Sequence, residues 1–204
     1  ALGLQHDTRD HEYDPSSGHL HRLSLRFSPG SITGNHLDHG GVMALLSWFV
    51  PLAKRYLVLA ARLLADGLFG RPPFYELSLA GAFRQTPLPG GNFGIRGMPE
   101  GMLHGGIKLV ANVEFRSVFW RFSIRSHRFG VGAVAFFDVG RVWAWWGDGP
   151  GYDDSTWPLR FGTGLGLRVL WGETFVVKMD LAYSPEARED DVPLALYFNA
   201  GHHF

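Results

Sequence analysis

Residues 107–116 read IKLVANVEFR, and the order of side chains in this stretch sets the pattern on which the fold rests. Ile107, Leu109, Ala111, Val113 and Phe115 alternate with Lys108, Val110, Asn112, Glu114 and Arg116. A period of two marks an extended strand, whose successive side chains point to opposite faces. One face is wholly apolar, and the other carries charges of both signs. A soluble sheet can alternate in the same way, with its polar face in water and its apolar face on a dry core, so parity in this stretch alone does not decide the fold.

The alternation repeats on both sides of this stretch. Leu23, Leu25 and Phe27 alternate with Arg22, Ser24 and Arg26, and Val177, Met179, Leu181 and Tyr183 alternate with Lys178, Asp180 and Ala182. Near the end, Leu194, Leu196, Phe198, Ala200 and Phe204 share one face, with Tyr197, Asn199 and His203 on the other. Phe161, Thr163, Leu165, Leu167 and Val169 alternate with Gly162, Gly164, Gly166 and Arg168. Large apolar groups set opposite ionic ones suit strands whose outer face meets acyl chains and whose inner face lines a polar interior. The glycine row would leave room inside a narrow cylinder for long charged side chains from neighbouring strands.

A membrane helix competes with this reading only at residues 42–65, VMALLSWFVPLAKRYLVLAARLLA. Such a helix would hold Pro51, Lys54 and Arg55 near its centre, which is costly in hydrocarbon. Two strands joined by a tight turn place those charges at the membrane edge, so the hairpin is preferred. The pattern therefore predicts an all-β protein, a transmembrane antiparallel up-and-down β-barrel. Strands fall near 18–28, 41–52, 55–68, 103–117, 129–143, 158–170, 174–184 and 194–204, which makes eight, with residues 1–8 as a ninth candidate. Single-chain bacterial barrels have even strand counts. Residues 1–16 are accordingly assigned to a periplasmic lead-in or partial strand, and 17–204 to the barrel, with a long extracellular loop over 69–102. Ten strands is the alternative, if residues 68–100 hide another pass. Residues 52–55 and 171–174 read as tight turns, whereas 29–40, 146–158 and 184–193 read as long polar loops.

Composition agrees with this class. A chain of 204 residues makes one substantial domain, and its zero formal net charge at pH 7 gives no basic surface for nucleic acid. There is no cysteine, while 27 glycines and 16 phenylalanines, 7 tryptophans and 6 tyrosines suit curved sheets with aromatic anchors. Trp143, Trp145 and Trp146 precede a polar loop, as an interfacial aromatic girdle requires. No nucleophile elbow, zinc-protease helix or phosphate loop occurs, so no catalytic residue and no cofactor is assigned and the chain is not read as an enzyme. His19 and His21 share one strand face at a spacing that can chelate, and His6 and His11 fall near the same rim. No cysteine or placed carboxylate completes a recognisable set, and no metal is assigned.

Further motifs carry a family resemblance. Residues 72–101, PPFYELSLAGAFRQTPLPGGNFGIRGMPEG, resemble the long sixth extracellular loop of BamA- and TamA-like barrels, whose Arg-Gly-aromatic tip folds back inside. Ile95-Arg96-Gly97-Met98 matches that tip except at Met98, where the family has Phe or Tyr. Residues 112–116, NVEFR, look like the family's glutamate-bearing strand, and 136–143, FFDVGRVW, like its aspartate-bearing one. Asp7-Thr8-Arg9-Asp10 with Pro15 and Gly18 is similar to a family turn, and Phe198, Gly201 and Phe204 resemble the C-terminal signal read by the barrel assembly machinery. The chain thus resembles the BamA/TamA-like outer-membrane surface-antigen superfamily along nearly its whole length. Full-length relatives have about sixteen strands and periplasmic domains upstream. The chain has room for roughly half, matching the C-terminal half, so a short member without those domains is the nearest description.

The resemblance implies a lock in which Arg96, followed by Gly97, pairs with Glu114 and Asp138. Parity supports part of this, since both carboxylates fall on the inward face of consecutive strands and are expected to meet across one rung. A guanidinium fork can satisfy two carboxylates. The residues alone also allow Arg116, Lys108 or Arg160 as partners, with the loop left outside. The resemblance further implies a role in outer-membrane biogenesis or in lipid or protein insertion. It would work through a weak seam between the strands at 18–28 and 194–204. Expected partners are phospholipid and lipopolysaccharide, the barrel assembly machinery and a second copy in a homodimer. A structural or loop-presenting barrel is the alternative, ahead of a rim-site hydrolase or a passive pore.

Overall fold

The structure, a computed structural model, describes residues 1–30, 38–53, 56–83, 85–143, 159–172, 175–185 and 193–200. The chain folds as one antiparallel sheet built from β1 (Leu2–Asp7), β2 (Gly18–Ser28), β3 (His39–Ala53), β4 (Leu57–Gly70), β7 (Ile107–Ile124), β8 (His127–Trp143), β9 (Arg160–Trp171), β10 (Phe175–Tyr183) and β11 (Leu194–Ala200). These nine strands lie side by side in chain order. Each pairs with its sequence neighbour, as an up-and-down meander requires. Between β4 and β7, a 3-10 helix (Phe74–Ser78) leads into a small hairpin of β5 (Leu79–Ala80) and β6 (Thr86–Pro87) that forms its own two-stranded sheet.

The alternation read from the sequence sets the two faces of the sheet. Leu23, Leu25, Phe27, Leu165, Leu167, Leu181, Leu196 and Phe198 are exposed on the outer face. Ser24, Arg62, Asp66, Lys108, Asn112, Glu114, Asp138, Arg168 and Asp180 are buried on the inner one. Polar groups inside and greasy groups outside invert the layout of a soluble domain. The stretch at 42–65 crosses twice as β3 and β4, with Trp48, Val50 and Leu52 exposed on the outer face. Residues 54–55 lie outside the described residues, and on either side of them the amide of Tyr56 donates to the carbonyl of Ala53 at 3.0 Å.

Three expectations change. Residues 2–7, within the stretch assigned to a lead-in or partial strand and offered as a ninth candidate, form a six-residue strand, so the sheet has nine strands among the described residues in place of eight. The alternation simply continues: Leu2 and Leu4 stand across from Leu25 and Leu23 on the outer face. The tenth pass does not form either, because the 3-10 helix and the short hairpin take up the loop. The expected seam between 18–28 and 194–204 is absent, since β2 is flanked by β1 and β3. The edges among the described residues are β1 and β11, and no ladder joins them.

The β7–β8 hairpin also runs further than its sequence pattern suggested. It turns at Arg125, whose φ of 53° is left-handed, after a register shift between Val118 and Trp120. A bulge of this kind adds twist where β7 runs on past its last pairing with β4 at Ser117. The main apolar cluster lies inside. Leu64 of β4 and Val110 of β7 pack with Ala80, Leu88, Ile95 and Met98 of the intervening loop, with Leu45 and Leu103 alongside. The loop between β4 and β7 thus folds back along the inner face.

Candidate functional site

The site is the meeting of that loop's tip with the inner wall. β7 and β8 pair so that Asn112 stands across from Asp138 and Glu114 across from Phe136. Glu114 and Asp138 are therefore offset by one rung rather than directly opposed, which corrects the expected geometry. The stagger opens a slot between them, and Arg96 occupies it. Its Nε and Nη2 donate to Asp138 at 2.7 and 2.8 Å, and Nη1 donates to Glu114 Oε1 at 2.6 Å. Nη1 also reaches Asp180 of β10 at 3.5 Å. The guanidinium carbon lies 3.6 Å from the centre of the Phe136 ring, a cation–π seat that fixes the plane of the fork.

All the partners are withdrawn from solvent: Arg96 is 4 % exposed, Glu114 3 % and Asp138 0 %. Burial is costly for each charge alone, and only mutual pairing with full hydrogen bonding offsets it. The second oxygen of Glu114 accepts from Arg116 Nε at 2.8 Å, so Arg116 joins the set without replacing Arg96. Asp180 is held by Arg168 in turn.

The wall also grips the loop through its backbone. The amide of Arg96 donates to Asp138 at 3.1 Å, and Asn112 Nδ2 donates to the carbonyl of Gly94 at 2.8 Å. Arg62 of β4 donates to the carbonyl of Phe93 and, through Nε, to Asn112 at 3.0 Å. Gly97 follows with a φ of 94°. A Cβ there would also press on Ser184 at 2.8 Å, so both conformation and space demand glycine. Its amide donates to the hydroxyl of Tyr197 on β11 at 3.0 Å. Met98, the departure from the family's aromatic, is 1 % exposed within the apolar cluster and fills the place with a flexible thioether.

The glycine row of β9 makes the slot deep enough. A Cβ on Gly162 would collide with the carbonyl of Arg96, and one on Gly166 with the Asp180 carboxylate. Gly164 leaves room for the Phe136 ring. Parity put Lys178 and Asp180 on the inner face, but nothing in their spacing identified Asp180, Asn112, Arg62 or Tyr197 as parts of this constellation. Their roles arise only when distant strands are brought into register.

A second fastening holds the root of the loop. Arg26 of β2 donates to both oxygens of Asp66 at 2.8 and 3.0 Å, and lies 3.4 Å from Glu76 of the 3-10 helix. Lys108 donates to the carbonyl of Leu79 at 2.9 Å, and the amide of Gly81 donates to Asp66 at 3.2 Å. The opposite end of the inner face stays hollow. A cavity of about 370 Å³ lies there, lined by Asp10, His11 and Asp14 of the β1–β2 turn and by Arg116, Arg121 and Arg128.

Of the C-terminal signal, Phe198 sits on β11 and is 69 % exposed on the outer face, whereas Gly201 and Phe204 lie outside the described residues. Trp143 ends β8 beneath the guanidinium of Arg141, 5.0 Å away, and Trp145 and Trp146 also lie outside the described residues. No individual curated protein matches the chain significantly. A family model does: the Omp85 superfamily domain matches residues 1–204. Together with the all-β meander, its reversed polarity and the inward-folded loop, this full-length match shows that the chain belongs to the Omp85 superfamily.

Proposed function

We propose that the protein resides in the bacterial outer membrane and acts in its biogenesis, assisting the insertion of protein or lipid rather than catalysing a reaction. The observation that carries this reading is the Arg96 clamp, which fastens a long loop to the inner wall through two buried carboxylates on adjacent strands. A loop held this way stiffens β7 and β8 and leaves the short terminal strands as the yielding part of the sheet. Edge strands with unsatisfied backbone groups are templates for added strands. The inner face is packed along the loop, which favours this role over passive conduction. Outer-membrane phospholipid and lipopolysaccharide, the barrel assembly machinery and a second copy of the chain are the partners this role calls for.

Reconstitution tests it. Liposomes carrying the protein should accelerate insertion of an unfolded test barrel or scrambling of labelled lipid, and Arg96→Ala should reduce that rate. Ion conductance without either activity would overturn the proposal in favour of a pore. Inertness in all three assays would leave a structural barrel. A cross-linked dimer in native membranes is expected, and a monomer at every cross-linker concentration would remove the homodimer from the reading.

A further inference from the structure

We propose that His6, His19 and His21 form a site for one divalent transition-metal ion of the imidazole-preferring class, zinc or copper, on the outer face of the β1–β2 hairpin. The sequence showed the His19/His21 pair, and the fold supplies the third ligand. Register places His6 directly across from His21, and His19 lies one rung further along, beside Thr8. One ring nitrogen from each histidine falls within 4.8 Å of the other two. His19 Nε2 and His6 Nδ1 are 3.0 Å apart, and the rings of His19 and His21 stack with centroids 4.4 Å apart. Two nitrogens bound tetrahedrally to zinc at their usual bond length sit about 3.3 Å apart. The His6–His19 pair is thus already at ligating distance, and the His21 ring must turn out of its stack on His19 to complete a three-ligand site with one open position.

Two details favour a ligand over mere packing. The hydroxyl of Thr8 lies 3.0 Å from His19 Nδ1 and 3.4 Å from the carbonyl of His19. If the hydroxyl donates to that carbonyl, it accepts from Nδ1–H, which makes Nε2 the unprotonated nitrogen; without metal Nε2 accepts a hydrogen bond from His6 Nδ1, and the ion would replace that bond. Donation from the other ring nitrogen is the usual means of fixing the tautomer of a metal-binding histidine. His21 Nε2 is buried without a hydrogen-bond partner, an expense that a metal bond would remove. The surroundings also permit a cation. The other outward residues of β1 and β2 are Leu2, Leu4, Leu23, Leu25 and Phe27, while Arg22 points inward to Gln5 at 2.9 Å and Arg9 is paired with Asp7. The site stands where the apolar band of the hairpin ends, beside Trp48, whose ring lies 5.4 Å from that of His21.

The test uses the full chain, without a histidine tag, refolded in detergent and stripped with a chelator. Calorimetric titration with zinc chloride should show one ion per chain. His19→Ala and His6→Ala should each weaken binding at least tenfold, while His11→Ala, in the adjoining turn, should leave it unchanged. Copper loaded at one equivalent should give an electron paramagnetic resonance spectrum with nitrogen splitting that changes in His19→Ala. Heat-resistant migration of each variant on a gel confirms that it is folded. Absence of stoichiometric binding, or equal affinity in the wild type and in His6→Ala or His19→Ala, would overturn the site.

Discussion

At the scale of single residues, Arg96 is the side chain on which the inner network turns. It neutralises carboxylates from two strands in a place that water does not reach. Removing one partner of a buried ionic set costs about 3–5 kcal/mol, because the remaining charges lose their compensation. Arg96→Ala should therefore lower the temperature at which the folded band disappears on a gel, together with the urea midpoint. Unchanged values would mean that the clamp is not a fastening. Arg96→Lys should recover only part of the loss, since an ammonium cannot bridge Asp138 bidentately while reaching Glu114. Gly97→Val combines a forbidden φ with a collision at Ser184, and should cost at least as much as ordinary backbone strain, about 1–3 kcal/mol. Equal stability of Gly97→Val and wild type in urea would show that the tip relaxes away from β10.

At the scale of elements, the outer face should behave as a lipid-facing surface. Leu165 is 68 % exposed in the middle of β9. Leu165→Lys should destabilise the protein in bilayers by about 2–4 kcal/mol, the cost of a cation on the lipid face at mid-depth. A loss below that range in a lipid-vesicle unfolding titration would argue that β9 does not face acyl chains. Gly162→Leu should expel the loop tip from its slot and expose residues near Arg96 to protease, without abolishing the sheet. Most elements were legible beforehand. Residues 18–28 were bounded as they occur, because a full alternation ends at Pro29 and begins at Gly18. An even strand count, as single-chain bacterial barrels have, argues against a ninth strand at residues 2–7. Pairing with β2 is decided instead by local register, where Leu2 and Leu4 meet Leu25 and Leu23. The far end of β7 went unread because Phe119, Trp120 and Phe122 break the strict alternation at the bulge.

At the scale of the whole molecule, the absence of native cysteine makes site-directed labelling clean. A nitroxide on Leu165→Cys in lipid vesicles should be accessible to oxygen and shielded from a water-soluble relaxant. One on Val134→Cys, which faces inward and is 2 % exposed, should be immobile and shielded from oxygen. Similar accessibility at both positions would contradict the reversed polarity of the sheet. The same inversion explains what was readable and what was not. Side-chain parity along each strand is a local property, so the sequence by itself determined the all-β class, the two faces and the inward direction of Glu114 and Asp138. The one-rung stagger of those carboxylates, the arrival of Asp180, Tyr197 and Arg62 around Arg96, and the third histidine beside His19 and His21 depend on inter-strand register. Register is settled by the pairing of residues far apart in the chain, and only the tertiary structure decided it.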